Sequence, residues 1–195
     1  MSEGTTVEQA IAAMPPRERD PDALAKLVAL VPPPASVPPP ADWAAAEAEL
    51  GVALPPDFKA LVDRYGNGRF DAEIRLVPPP RLVQWMREDL QILRETQDLF
   101  RDERTGEPAH RVWPEPGGLL AWSGTGYSLA LHWRTGEEPP ERWPVVTERA
   151  DALDPDFWAF DGTATEFLLA LFTREVAPRH FAGWLPEGRP GFRAS

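Results

Sequence analysis

The sequence predicts an α+β domain, a largely antiparallel sheet of about four to six strands with helices packed on it. Three observations carry this expectation. Helical apolar stripes and alternating strand patterns both occur, strands follow one another at hairpin spacing between residues 118 and 162, and a capped helix closes the run. The 195 residues suffice for one domain with a real core, and 43% of them are hydrophobic. The 24 prolines are too many for compact elements alone and mark linkers and long loops.

Residues 1–20 are polar and end in the loop-like PPRERDP. DALAKLVAL reads as a short helix with Asp22 as its N-cap. VPPPASVPPP (31–40) lacks the amide donors of a helix or inner strand and reads as a polyproline-type connection. Asp42 caps a helix from Trp43 to Leu50, and Gly51 stops it. Leu54 precedes Pro55 and is therefore extended, whereas Pro56 suits a first helical turn. Phe58, Leu61, Val62 and Tyr65 fall on one face of that second helix, which Gly66 ends.

After the Asn67-Gly68 turn, Phe70, Ala72, Ile74 and Leu76 alternate as one strand, ended by Pro78-Pro79-Pro80. Residues 82–100 form a helix on Met86, Leu90, Leu93 and Phe100, with Trp85 and Ile92 off the stripe. Residues 101–117 are a polar excursion. GLLAWSG (118–124) and GYSLALHWR (126–134) are strands joined by a tight turn at Gly124-Thr125-Gly126. RWPVVTER (142–149) and DFWAFDG (156–162) are a third and fourth. Thr163 and Glu166 form a capping box that opens the helix ATEFLLALFTREV. The resulting division is an N-terminal segment with a Pro-rich linker (1–40), a main domain (41–175) and a loop-like tail (176–195).

A net charge of −11 and a pI near 4.8 argue against a chain that wraps nucleic acid. Such acidity suits a basic partner, or serves solubility alone. No apolar run approaches the roughly 20 residues that span a bilayer. MSEGTTVEQA lacks a basic region followed by a hydrophobic one, so the expected setting is cytoplasmic, without membrane contact. With no cysteine there is no disulfide framework, thiolate metal site or thiol nucleophile.

His110, His132 and His180 lie far apart with no HxxxH or HExxH spacing, and no metal or cofactor is expected. Ser123 sits in Trp-Ser-Gly rather than a GxSxG elbow, and Gly124-Thr125-Gly126 lacks the remainder of a phosphate loop. Carboxylates are plentiful, but no spacing singles out an acid/base pair. The sharper signal is acidic. Between Thr135 and Glu175, ten acids face three arginines, with Trp143, Phe157 and Trp158 among them. One reading is an interface, charges steering and aromatics anchoring, with Glu137, Glu138, Glu141, Trp143, Asp151, Asp154, Asp156 and Trp158 as its candidates. The other is that Phe157 and Trp158 are core and the acids merely solvated.

Trp43, Glu47, Leu50-Gly51, Leu54-Pro55, Asp57-Phe58-Lys59, Leu61 and Tyr65-Gly66 together resemble the N-terminal signature of the SUKH superfamily. That superfamily includes fungal cell-wall-synthesis regulators and bacterial immunity proteins for polymorphic toxins. A looser likeness extends over residues 41 to 175. Most signature residues read as helix stops, a helix start and a packing stripe; Glu47 and Asp57 are the two that could touch a ligand instead of capping or solvating. The resemblance implies a non-enzymatic protein-binding domain. One form is an immunity protein that neutralises a cognate toxin, and the acidity points to a basic target such as a nuclease. The other is a regulatory or scaffolding domain that binds several cellular proteins or a small ligand.

Overall fold

The Pro, Gly and Asp punctuation of residues 42–66 does what its chemistry dictates. In the computed structural model, Asp42 accepts a hydrogen bond from the Ala45 amide at 3.0 Å and opens helix α3 (Trp43–Leu50), which ends at Gly51 with φ of 73°. Pro56 lies in the first turn of α4 (Pro56–Tyr65), and Phe58, Leu61, Val62 and Tyr65 are all buried. Gly66 then takes a φ of 71°, and a side chain there would place its Cβ 2.9 Å from Pro38, so glycine is required twice over. Tyr65 donates its hydroxyl to the Val31 carbonyl at 2.6 Å, tying the Pro-rich segment to this corner, and burial pushes its pKa up to about 12.

The structure describes residues 4–36, 38–71, 73–97, 99, 101, 106–126, 129–149, 156–181 and 188–195. Before α3 come α1 (Val7–Ala12) and α2 (Ala23–Leu30). After α4 follow β1 (Gly68–Phe70), β2 (Ile74–Leu76), α5 (Arg81–Gln97), β3 (Leu119–Gly124) and β4 (Leu129–Arg134). β5 (Val145–Arg149), β6 (Phe157–Phe160), α6 (Ala164–Phe172) and β7 (Phe192–Ala194) complete the order. The α+β class and the antiparallel pairing hold. The strands divide between a three-stranded sheet, β2-β1-β7, and a four-stranded sheet, β3-β4-β5-β6. The two approach where Ser123 of β3 donates to the Arg75 carbonyl of β2 at 2.6 Å.

Strand alternation sorts the larger sheet's side chains into two layers. Trp133, Val145 and Phe160 share one face through register, as do Leu131, Thr147 and Trp158. That face meets α4 and α6, with Phe58 5.0 Å from Trp133 and Phe167 5.7 Å from Phe160. Edge-on aromatic packing of this kind adds about 0.5–1.5 kcal/mol per pair beyond burial. His132 and Glu148 point to the opposite face, covered by α1, α5 and the segment around His110.

Several local expectations are corrected. Residues 70–76 are two strands rather than one, because Asp71 adopts a φ of 47° and β1 folds back on β2 with Phe70 opposite Ile74. Ala72 lies outside the described residues. The β3–β4 connection runs past the expected turn at Gly124-Thr125-Gly126, since β4 starts only at Leu129: the Thr125 amide donates to the Leu129 carbonyl, and Tyr127 and Ser128 are outside the described residues. The long helix ends at Gln97, and Phe100 is likewise outside them. Asp22 precedes α2 without a side-chain capping bond, its amide donating instead to Asp20 at 3.0 Å. The N-terminal stretch contains α1, opened by a Thr6/Gln9 capping box, and its Val7 is buried. The tail is not all loop, because β7 pairs with β1 and lays Phe192 4.9 Å from Phe70 and 5.0 Å from Tyr65.

Candidate protein-binding surface

Between β4 and β5 the chain makes a 3-10 turn over Pro140–Arg142. Proline at its start restricts the backbone, and the Arg142 and Trp143 amides close it on the Pro139 and Pro140 carbonyls at 2.8 and 3.2 Å. Trp143 is 4% exposed, its ring against Trp133, and its indole N–H donates to the Glu138 carbonyl at 2.8 Å. Glu141 on this turn and Glu137 and Glu138 just before it are exposed. The segment is thus an acidic projection fastened from beneath by a buried tryptophan. Trp143 serves it as a foot and is not itself presented to solvent.

The other candidates lie elsewhere. Asp156 precedes β6 at the far end of β5, which at about 3.3 Å per residue stands some 13–17 Å from the acidic turn. Its carboxylate is already engaged by Arg179 and lies 3.2 Å from His180 Nε2. Trp158 is half-buried, stacked on Phe160 and tilted against Phe167, and Phe157 is buried. Asp151 and Asp154 lie outside the described residues. Of the eight candidates, only the three glutamates form one solvent-facing group among the described residues.

The signature residues are tied into the scaffold. Glu47 Oε1 accepts from the Leu54 amide at 2.9 Å and from Lys59 Nζ at 2.6 Å, closing the α3–α4 corner in front of Pro55. Burial opposes its charge, but the lysine and the amide outweigh burial and hold the carboxyl below its usual range. Trp43 donates to Asp63 at 2.9 Å and packs edge-on against Phe58. Asp57 accepts from both the amide and the hydroxyl of Thr165 at 3.1 Å, fixing the start of α6. Its other carboxylate oxygen is buried without a protein partner, and burial pushes its pKa up.

Two histidine clusters deserve a catalytic test. Thr147 Oγ1 lies 2.7 Å from His180 Nδ1, and His180 Nε2 lies 3.2 Å from Asp156 Oδ1 but makes no hydrogen bond, so hydroxyl, imidazole and carboxylate are near one another without forming a bonded relay. Thr147 is fully buried beneath α6 and the 179–181 turn, so no substrate reaches it. Burial, only partly opposed by Asp156, pushes the His180 pKa down. His132, on the other face, is enclosed between Asp89 and Glu148 and has no access either. Sequence reasoning missed both clusters, since their members are brought together by sheet register and helix docking. Among the described residues no three His, Asp or Glu side chains are arranged to hold a metal. A shallow hollow of about 340 Å³ lies between α3 and α5, lined by Glu49, Pro80, Arg81, Gln84, Arg87 and Glu88.

A family model described as SMI1-KNR4 cell-wall (SUKH_6) matches residues 40–168, more than half of the chain. The chain belongs to the SUKH superfamily. No curated protein and no solved structure matches it. The SUKH match begins just before α3 and ends within α6, so it contains the whole signature corner, the four-stranded sheet and the acidic turn. No helix among the described residues is long and apolar enough to cross a membrane.

Proposed function

We propose that this SUKH protein is a non-enzymatic immunity-type protein that binds and neutralises a cognate toxin domain carrying a basic surface. The observation that carries the reading is the acidic turn. Three exposed carboxylates stand on a backbone already fixed by two prolines, two backbone hydrogen bonds and the Trp143–Glu138 bond. A preordered loop loses less entropy on binding than a loose one. Its charges would steer a basic partner and speed encounter. The net charge of −11 gives the whole molecule the same bias. Occlusion needs no catalytic group, only a complementary surface of about 800 Å² per partner.

The test is a co-expression rescue against a candidate toxin, followed by association kinetics for Glu137→Lys, Glu138→Lys and Glu141→Lys combined. The reading expects rescue by the wild type, with slower association and a flatter salt dependence in the triple variant. Unchanged association kinetics would remove this surface from the reading.

A regulatory or scaffolding role is the second reading, favoured by the cell-wall description of the matching family model. It expects several weak protein partners or a small ligand, and no toxin rescue.

A further inference from the structure

Helix α5 crosses the outer face of the large sheet on its buried residues Leu82, Met86, Leu90 and Leu93, and a polar contact through Asp89 lies beside them. His132, on β4, is 0% exposed. Its Nε2 lies 3.2 Å from Asp89 Oδ2 on α5 and 3.9 Å from Glu148 Oε2 on β5. The two carboxylate oxygens therefore stand no more than about 7 Å apart, near enough to repel strongly unless a cation sits between them. We infer that a proton on His132 fastens α5 to the sheet, and that its loss as pH rises loosens the helix.

The surroundings leave this task to His132. On β4 itself, Arg134 projects from the same face but is paired with Glu8 of α1. His110, from the segment before β3, turns its Nε2 to the Leu93 carbonyl at 3.0 Å and adds attraction at Glu148. The residues opposite His132 on β3 and β5, Ala121 and Val146, carry no charge. His132 Nδ1 has no protein partner, so its hold on α5 runs through Nε2 alone. Burial disfavours the imidazolium, but the charge and hydrogen bond of Asp89, with the charge of Glu148, outweigh it and raise the pKa. Burial likewise raises Glu148, against the pull of His132 and His110.

A histidine whose folded pKa is raised contributes stability below its ordinary value of about 6.5, and that contribution is lost as pH climbs through the folded pKa. Neutral His132 leaves Asp89 facing Glu148 with the cation gone. The apolar stripe of α5, Leu82, Met86, Leu90 and Leu93, is what loosening would uncover.

Amide hydrogen exchange of the full chain between pH 6 and 9, corrected for intrinsic rates, tests this. Protection in α5 should fall by up to about tenfold per pH unit above the His132 transition, while α6 stays level. Asp89→Asn with Glu148→Gln should flatten the α5 profile. The imidazole resonance of His132 in the wild type gives a second reading that needs no variant, and it should titrate above 6.5. A level α5 profile in the wild type, a profile that falls equally in the double variant, or a His132 resonance titrating below 6.5 would overturn the inference.

Discussion

Glu47 and Lys59 meet at 2.6 Å across the α3–α4 corner, and the same glutamate oxygen also holds the Leu54 amide. One side chain therefore satisfies a loop amide, neutralises a lysine and sets the angle between two helices. Glu47→Ala would strand the Leu54 N–H and lose the pairing, at a cost of about 1–3 kcal/mol. For a chain of this size the melting midpoint should fall by about 2–4 °C per kcal/mol. A thermal melt checks this, and partner binding at low temperature should survive.

Asp57 behaves differently, because one of its oxygens is buried with no partner. Its raised pKa means that the ionised form is disfavoured in the folded state, so its contribution worsens as pH rises from its ordinary value of 3.8 through the folded value. Asp57→Asn retains an oxygen for Thr165 and removes the buried charge. Urea unfolding at pH 7 should find it at least as stable as the wild type, whereas Asp57→Ala should lose about 1–3 kcal/mol.

Trp143→Phe keeps a ring beneath the acidic turn but deletes the bond to the Glu138 carbonyl. The expected stability loss is about 1 kcal/mol. Amide exchange over residues 136–142 should quicken while β4 and β5 hold. An unchanged turn would mean that the prolines alone fix it.

His180 makes stability fall on acidification. Its lowered pKa gives a contribution present above the ordinary value of about 6.5 and lost as pH falls through the folded value. Denaturant unfolding between pH 5 and 7 should show stability dropping on acidification by at most about 1.4 kcal/mol per pH unit for one proton. His180→Gln should remove that slope.

The parts legible in the sequence are those where one residue type satisfies a local demand. Asp42, Gly51, Pro56 and Gly66 mark their helix ends through capping, left-handed backbone or fixed φ, and the Thr163/Glu166 box opens α6 as read. The Thr6/Gln9 box was equally available and marks α1. Alternation could not reveal the reversal at Asp71, because Phe70 and Ile74 face the same layer whether the strand continues or folds back. β7 carries too short a pattern to announce its pairing with β1. At the candidate surface, an interface aromatic and a core aromatic look alike in sequence, so Trp143 read as an anchor when its ring is buried. Clusters joined across 43 residues, as His132 and Asp89 are, leave no local trace.

On the proposed function, Glu137, Glu138 and Glu141 present one charged face to one basic protein. The most direct test is parallel affinity capture from native cells with the wild type and the Glu137→Lys, Glu138→Lys, Glu141→Lys variant, washed at about 0.15 M salt, where the screening length is about 8 Å. One near-stoichiometric partner with a compact basic domain should be held by the wild type and lost from the variant. A partner held equally by both, or a scatter of unrelated proteins on each, would contradict the proposed function.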